Sequence, residues 1–235
     1  MTTLSVRTRY AALIAVAASI YCASPAIADD APSNSLRAGL YAVFYHSKAD
    51  DLSGPYVPPG VNIDAKDVGT LYLAYVRRLS AHFDVELAVG YPPLTKTVGR
   101  GPATLGSVPY DGQVISTARW IAPTLLLEYV FLGENSKLRP YIGVGVNYTT
   151  FYDRDSTAQG NAASGGPTKL SLTSSVGPAA TAGLAYHVAN NWHLYASYSA
   201  SQVKTNLVAD TAGVIRTTRI SFGPQALVLS VGYSF

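Results

Sequence analysis

The amino-acid sequence predicts an all-β protein in which eight antiparallel strands close into a transmembrane barrel. Several segments of about ten residues alternate between bulky apolar and small or polar side chains, which is the pattern of a β-strand. Only 13% of the 235 residues are charged, although 48% are hydrophobic. Ordinary soluble domains carry about a quarter charged residues. Beyond residue 28, no run of apolar residues is long enough for a membrane-spanning helix.

The first 28 residues have the pattern of a secretory signal peptide. Arg7 and Arg9 precede the short apolar run Tyr10–Ala18, and Ala26-Ile27-Ala28 supplies the small residues of a cleavage site. The apolar run is too short for a bilayer-spanning anchor, which needs about 20 residues. We therefore expect cleavage after Ala28 and a barrel domain over residues 29–235.

Cleavage changes what the composition implies about partners. The net charge of +3 includes two arginines of the signal peptide, so the mature chain is almost neutral and a nucleic-acid partner is not expected. Cys22 is the one cysteine of the chain, and it leaves with the signal peptide. The four histidines show no metal-ligand spacing, so neither a metal nor another cofactor is predicted.

The strands follow in order along the mature chain. We place them at about 35–46, 67–78, 82–93, 116–131, 138–152, 174–188, 191–203 and 216–235. Three connections are short, at Leu79–Ala81, Leu132–Lys137 and Ala189–Asn190. The others are long and hold many of the charges, at 47–66, 94–115, 153–173 and 204–215. Outer-membrane barrels combine short periplasmic turns with long extracellular loops in this way, and we interpret Gly160–Pro167 as a mobile outer loop.

A soluble β-sandwich would show the same alternation, so the charge content must distinguish the two classes. In the last strand, five bulky apolar residues alternate with small or polar ones, namely Leu227, Leu229, Val231, Tyr233 and Phe235. A sandwich needs a charged exterior, whereas a barrel turns its apolar face to lipid. The shortage of charge favours the barrel. Six tyrosines suit an interfacial girdle: Tyr75, Tyr91, Tyr129, Tyr148, Tyr186 and Tyr233.

Several segments resemble the outer-membrane protein W (OmpW) family. They are Val85-Glu86-Leu87, Pro123-Thr124-Leu125, residues 136–153 with the run Arg139-Pro140-Tyr141, and the ending Gly232-Tyr233-Ser234-Phe235. The resemblance covers essentially the whole mature chain. It implies an eight-stranded barrel of the bacterial outer membrane, surrounded by lipid and lipopolysaccharide, with an apolar lumen. It also implies passage of small hydrophobic molecules, with release sideways into the membrane.

Two other functions remain open from the residues alone. A structural, adhesion or receptor barrel would need no transport at all. A lipid-modifying enzyme is less favoured, because no histidine lies in a compact arrangement with a serine and an acid on one strand face. We therefore predict a protein that is not an enzyme. The residues do not indicate an oligomeric state.

Four charged residues are expected to meet inside the barrel near its periplasmic end. The alternation places Glu86, Glu128 and Arg139 on inward positions, and Arg37 lies near the start of the first strand. Buried charges are costly unless they are paired. The sequence therefore predicts an ion-pair cluster, Arg37, Glu86, Glu128 and Arg139, which closes the base of the lumen.

The expected lumen combines apolar and small side chains. The predicted lining residues are Ala88, Trp120, Ala122, Leu126, Tyr195 and Ser199. The small residues among them suggest a lumen that is wider or wetter than a strictly apolar one.

Three prolines lie at similar heights in descending strands, at Pro123, Pro178 and Pro224. Proline cannot donate a hydrogen bond to a ladder, so we interpret these positions either as a lateral opening or as three tolerated bulges.

Overall fold

The computed structural model describes residues 33–105, 108–133 and 136–235, so the predicted signal peptide lies outside the described residues. The described strands are β1 (Asn34–Tyr45), β2 (Lys48–Ala49), β3 (Asn62–Ala65), β4 (Val68–Arg78), β5 (Phe83–Gly90), β6 (Leu94–Arg100), β7 (Thr104–Leu105), β8 (Val108–Pro109), β9 (Val114–Ile121), β10 (Thr124–Val130), β11 (Leu138–Ser156), β12 (Thr168–Leu172), β13 (Ser175–Ala189), β14 (Trp192–Ser201), β15 (Val203–Thr211), β16 (Val214–Phe222) and β17 (Pro224–Ser234). A short helix, α1 (Ala158–Ser164), lies between β11 and β12. Within the described ranges, no helix has the length and apolarity to cross a membrane.

Eight strands form a closed antiparallel ring, which we call the lower ring. Their spatial order is β1, β4, β5, β10, β11, β13, β14 and β17. The ring closes between its first and last strands, where Ser35 pairs with Ser234 and Leu40 with Leu229. The predicted eight-stranded barrel is therefore confirmed. Closure matters in lipid, because an open edge would leave backbone groups without hydrogen-bond partners.

The two faces of the lower ring are inverted relative to a soluble protein. Leu229 and Val144 on the outer face are 68% and 67% exposed, whereas Arg37 and Glu128 inside are 5% and 1% exposed. Apolar residues of all eight strands continue this outer belt. Such an outer surface is stable only against lipid. The lower end of the ring carries the short turns, such as the one at Asn190.

The wall continues above the lower ring as a second set of strands, which we call the outer tier. Its order is β3, β6, β9, the upper part of β11, β12, β15, β16 and β2. The long loops predicted at 94–115, 153–173 and 204–215 are therefore only partly correct. These segments alternate like strands, but their outward residues are polar because they stand above the apolar belt.

The segment 204–215 shows this most clearly. It forms most of a β-hairpin in which Val203 pairs with Phe222 and Thr211 with Val214. The two turn residues, Ala212 and Gly213, have φ values of 50° and 89°. Two consecutive residues with positive φ form the tight turn that matches the twist of a hairpin.

The predicted mobile loop Gly160–Pro167 is wrong, because most of it is helical. Helix α1 begins after Thr157, whose side-chain oxygen accepts a hydrogen bond from the backbone N–H of Gly160. It ends at Gly165, with a φ of 84°. These are the usual caps at the two ends of a helix. Gly160 is buried, and a side chain there would collide with the carbonyl oxygen of Ile115 on β9.

Candidate functional site: a lumen closed at its base

A buried ion-pair cluster closes the lower part of the barrel. Arg37 on β1 forms an ion pair through Nη1 with the carboxylate of Glu86 on β5. Its Nη2 lies 3.4 Å from a carboxylate oxygen of Glu128 on β10. The hydroxyl of Tyr72 donates to the other oxygen of Glu86 at 2.7 Å. All three charged side chains are at most 5% exposed. Three of the four predicted cluster residues therefore meet, together with a tyrosine that the sequence did not indicate.

Two aromatic rings cover the guanidinium of Arg37. Its Cζ lies 4.0 Å from the ring centroid of Tyr195 and 5.5 Å from that of Tyr141. A cation above an aromatic face is attracted by the ring electrons, more strongly where water is excluded. Tyr195 is thus part of this base and lies below the cavity whose wall it was predicted to line.

Glycines make room for these rings. A Cβ at Gly183 would lie 2.5 Å from the ring of Tyr141, and a Cβ at Gly232 would lie 2.6 Å from the ring of Tyr195. Neighbouring strands therefore provide bare backbone where the two rings lie across the barrel. We call Arg37, Tyr72, Glu86, Glu128, Tyr141 and Tyr195 the basal plug.

Arg139, the fourth predicted member, lies in a lower layer. Its guanidinium donates to the carbonyl of Ala81 in a short turn, at 3.2 Å. It lines a small cavity of about 40 Å³, together with Arg78, Asp84 and His193. The alternation of the strand predicted its inward face correctly, but alternation gives no height along the barrel.

Above the basal plug lies a cavity of about 170 Å³. Its wall has an apolar side on β1, β12, β15, β16 and β17, including Val43, Leu172, Val203, Leu207, Ile220, Phe222 and Val228. The other side carries hydroxyl and amide groups, including Thr95, Thr97, Ser116, Thr124, Asn147 and Thr149. Several of these groups pair with one another: Asn147 Nδ2 donates to Thr124 Oγ1 at 2.8 Å. The cavity is therefore apolar on one side and polar on the other.

Five of the six predicted lining residues border this cavity, namely Ala88, Trp120, Ala122, Leu126 and Ser199. Trp120 is 8% exposed, and its indole Nε1 donates to Thr95 Oγ1 at 3.0 Å. This bond fixes the ring against the polar side of the wall.

The barrel wall is interrupted beside the cavity. Between the third and fourth strands of the barrel, pairing stops at Ala88 with Thr124 and resumes at Leu94 with Arg119. We call this interruption the wall gap. It is flanked by Tyr91, Pro92 and Pro93 on one strand and by Ala122 and Pro123 on the other.

The cavity reaches the wall gap. Val89, Trp120 and Ala122 border both the cavity and the gap. The ladder on the other side of Pro92 and Pro93 is also interrupted. Its last hydrogen bond below the prolines runs from Tyr91 N to Leu71 O, and the next one above them runs from Lys66 N to Lys96 O. These two prolines fall at the end of the strand predicted at 82–93, and the double proline is the signal that could have revealed the gap.

The three predicted prolines differ in their surroundings. Pro123 borders the wall gap, and its carbonyl accepts from the N–H of Tyr148 on the intact side. Pro178 pairs in register with Val146, and its carbonyl accepts from Gln202. Pro224 pairs with Tyr45 at the start of β17. The ladder toward β5 is thus interrupted at Pro123, whereas the ladder between β13 and β11 continues past Pro178.

The sequence profile of the OmpW family matches residues 30–235. The chain belongs to the OmpW family. Outer membrane protein W of Vibrio cholerae serotype O1 is 28% identical over 200 residues, which are 85% of this chain and 87% of that protein. The dibenzothiophene metabolism operon protein PahQ of Pseudomonas aeruginosa is 32% identical over 139 residues, which are 57% of this chain and 60% of PahQ.

A solved structure shows the same fold. The crystal structure of the outer membrane protein OprG from Pseudomonas aeruginosa aligns with 87% of this chain and 96% of its own, at a TM-score of 0.78 and 23% identity. Family membership and fold together place this OmpW-family barrel in the outer membrane, with lipid around its apolar belt.

Proposed function

We propose that this barrel is an outer-membrane channel for small hydrophobic molecules. A cargo would enter the cavity from outside, stop at the basal plug, and leave sideways through the wall gap into the membrane. The observation that carries the proposal is the position of the cavity, which is closed below by buried ion pairs and borders an interruption of the wall. A straight path would require a cargo to break the contacts of Arg37 with Glu86 and Glu128.

The composition of the wall gap lowers the cost of such an exit. An unpaired backbone N–H in lipid costs several kcal/mol. Pro92, Pro93 and Pro123 have no N–H to leave unpaired. The carbonyl of Pro92 accepts a hydrogen bond from Arg119 Nη1 at 3.0 Å. The gap can therefore exist beside lipid with few unsatisfied groups.

The name of one relative supports an apolar cargo. PahQ is named for a dibenzothiophene metabolism operon, and dibenzothiophene is a fused aromatic compound without charge. The apolar side of the cavity here would suit a molecule of this class.

Reversible closure of the wall gap tests the proposal. Residues 29–235 contain no cysteine, so Val89→Cys and Ala122→Cys would place two thiols at the gap. A short bifunctional methanethiosulfonate would join them, and a reducing agent would release them. The control pair, Val85→Cys and Leu127→Cys, joins the same two strands where they are already paired.

Uptake is measured with N-phenyl-1-naphthylamine, an apolar dye that fluoresces once it reaches the membrane interior. Cells that express the barrel should take up the dye faster than cells without it. Cross-linking at the gap should abolish the difference, reduction should restore it, and the control pair should have no effect. Equal uptake with and without the barrel would favour a structural or adhesion barrel without transport.

We also infer a contact with the phosphates of lipopolysaccharide. Lys66 and Lys96 face each other just above the apolar belt, where the N–H of Lys66 donates to the carbonyl of Lys96 at 2.9 Å. Both side chains are exposed, and among the described residues neither forms an ion pair. Like charges directly opposite each other are destabilising in a sheet. An anionic headgroup between them would remove that repulsion.

A further inference from the structure

A bulge in β11 turns one arginine into the lumen. Below the bulge, even-numbered residues of β11 such as Val144 and Val146 face outward. The register with β9 then shifts between Tyr152 and Asp155, and Asp153 has a φ of 44°. Bulges re-aim side chains in this way. As a result Arg154, which would otherwise face outward, lines the cavity.

Arg154 lies at the upper end of the cavity without a carboxylate partner. Its Nη1 donates to the carbonyl of Leu172 at 3.4 Å, across an interruption of the ladder between β11 and β12. Among the described residues, no acid forms an ion pair with it. Its two acidic neighbours in sequence are directed elsewhere: Asp153 lies 3.8 Å from Arg119, and Asp155 is exposed opposite Lys169.

The charges of the cavity therefore differ between its two ends. Leu170 and Leu172 border the cavity beside Arg154, and Glu86 borders it at the base. The basal plug holds two carboxylates beside its guanidinium, whereas Arg154 brings a positive charge to the upper end with no carboxylate paired to it. Between the two ends, one side of the wall is apolar.

We propose that Arg154 binds the carboxylate of an amphipathic cargo whose hydrocarbon tail points down into the cavity. The ligand class is a medium-chain fatty acid, which is ionised at neutral pH. Charge-assisted bonds between guanidinium and carboxylate are about twice as strong as neutral ones. This assignment rests on the proposed function, because it requires a cavity that accepts apolar chains.

Binding to the barrel in lipid nanodiscs tests the assignment through the fluorescence of Trp120. The chain has two tryptophans, of which Trp120 lines the cavity and Trp192 is 49% exposed on the outside. In a Trp192→Phe background, a ligand in the cavity that carries a bromine atom quenches Trp120. The two probes are 10-bromodecanoate and the uncharged 10-bromodecanol, which have the same chain length. A variant that lacks Trp120 as well as Trp192 gives the background fluorescence.

We expect the parent barrel to bind the carboxylate more tightly than the alcohol. Arg154→Gln should weaken carboxylate binding about tenfold, a loss typical of a charge-assisted hydrogen bond, and leave alcohol binding unchanged. Arg154→Lys keeps the charge and should retain part of the preference. The matched control is Arg219→Gln, because Arg219 is exposed and does not border the cavity.

The outcomes separate this inference from the proposed channel. Equal affinity for the two probes, or unchanged carboxylate binding in Arg154→Gln, overturns the headgroup site and leaves the channel standing. Quenching by neither probe overturns both, because a cavity that admits no apolar chain cannot carry one. The headgroup site is supported if Arg154→Gln loses the preference for the carboxylate over the alcohol and Arg219→Gln keeps it.

Discussion

The buried guanidinium of Arg37 connects three strands that are far apart in sequence. It pairs with Glu86 and Glu128 and is covered by the ring of Tyr195. Burying ions costs several kcal/mol each, and good geometry recovers that cost. The basal plug therefore closes the lower part of the barrel while adding little net stability.

Removing one charge of the basal plug should destabilise the barrel more than removing all three. We expect Arg37→Met to lower the free energy of unfolding by about 3–5 kcal/mol, because two buried carboxylates lose their partner. The triple variant Arg37→Met, Glu86→Gln and Glu128→Gln should recover most of this loss. Urea unfolding in lipid vesicles, followed by tryptophan fluorescence, measures both. A loss below about 1 kcal/mol in the single variant would contradict the buried pairing.

The glycines that accommodate the plug rings should tolerate no side chain. We expect Gly183→Ala to destabilise the barrel by about 1–3 kcal/mol, because its Cβ would lie 2.5 Å from the ring of Tyr141. The matched control is Gly69→Ala, where the nearest atom would be 4.0 Å away. The same urea titration compares them, and equal losses would show that the ring of Tyr141 is free to move.

The sequence predicted which side of a strand these residues occupy, but not their height or their partners. Alternation placed Arg139 on the inside, and Arg37 was added because it lies near the start of the first strand, yet only Arg37 reaches Glu86 and Glu128. The role of Tyr72 depends on the register between β4 and β5, where Tyr72 pairs with Gly90. Register depends on contacts between strands that are distant in sequence, and a single sequence does not reveal it. Arg154 escaped prediction because a bulge reverses the alternation at that point.

Interruptions of the strands locate the proposed lateral opening of the wall. Pro123 stands at the edge of the wall gap, whereas Pro178 lies within the continuous register between β13 and β11 and its carbonyl accepts from Gln202 on the other side. The sequence showed the prolines and their similar heights. It could not show which of them face an unpaired neighbour, because pairing depends on the adjacent strand. Pro92 and Pro93 are the unpaired residues across the wall gap from Pro123.

Restoring a donor at the wall gap should hinder the exit. We expect Pro123→Val to reduce dye uptake severalfold, because the new N–H can pair across the gap and tighten it. Pro178→Val is the matched control and should leave uptake unchanged. Dye fluorescence in expressing cells measures both, and amide hydrogen exchange at position 123 reports the new bond. Unchanged uptake together with a protected amide would exclude this gap as the exit.

The barrel as a body has a lipid-facing belt below and a polar tier above. The border between them carries Lys66 and Lys96 on adjacent strands. At this height the phosphates of the outer leaflet would lie beside the wall. The apolar belt follows from composition and alternation, whereas the facing lysines follow from a register that the sequence did not reveal.

Neutralising both lysines should weaken the hold on lipopolysaccharide. We expect the double variant Lys66→Gln and Lys96→Gln to retain severalfold less lipopolysaccharide after purification in mild detergent, because two charges near the phosphates are lost. The control is Lys137→Gln in a short turn at the opposite end of the barrel. Phosphate analysis of the purified barrels measures the difference. Equal retention in the double variant and the control would refute the contact.

Strand β11 extends from Leu138 to Ser156, a length of 19 residues that includes the bulge near Asp153. At about 3.3 Å per residue and a tilt of about 40°, such a strand rises about 48 Å. The hydrocarbon core of a bilayer is about 30 Å thick. The upper rim therefore lies among the sugars of the cell surface, well beyond the hydrocarbon core. In the proposed channel, a hydrophobic solute would leave the surrounding water at that rim and would cross the carbohydrate layer inside protein, shielded from the hydrated sugars that normally exclude such molecules.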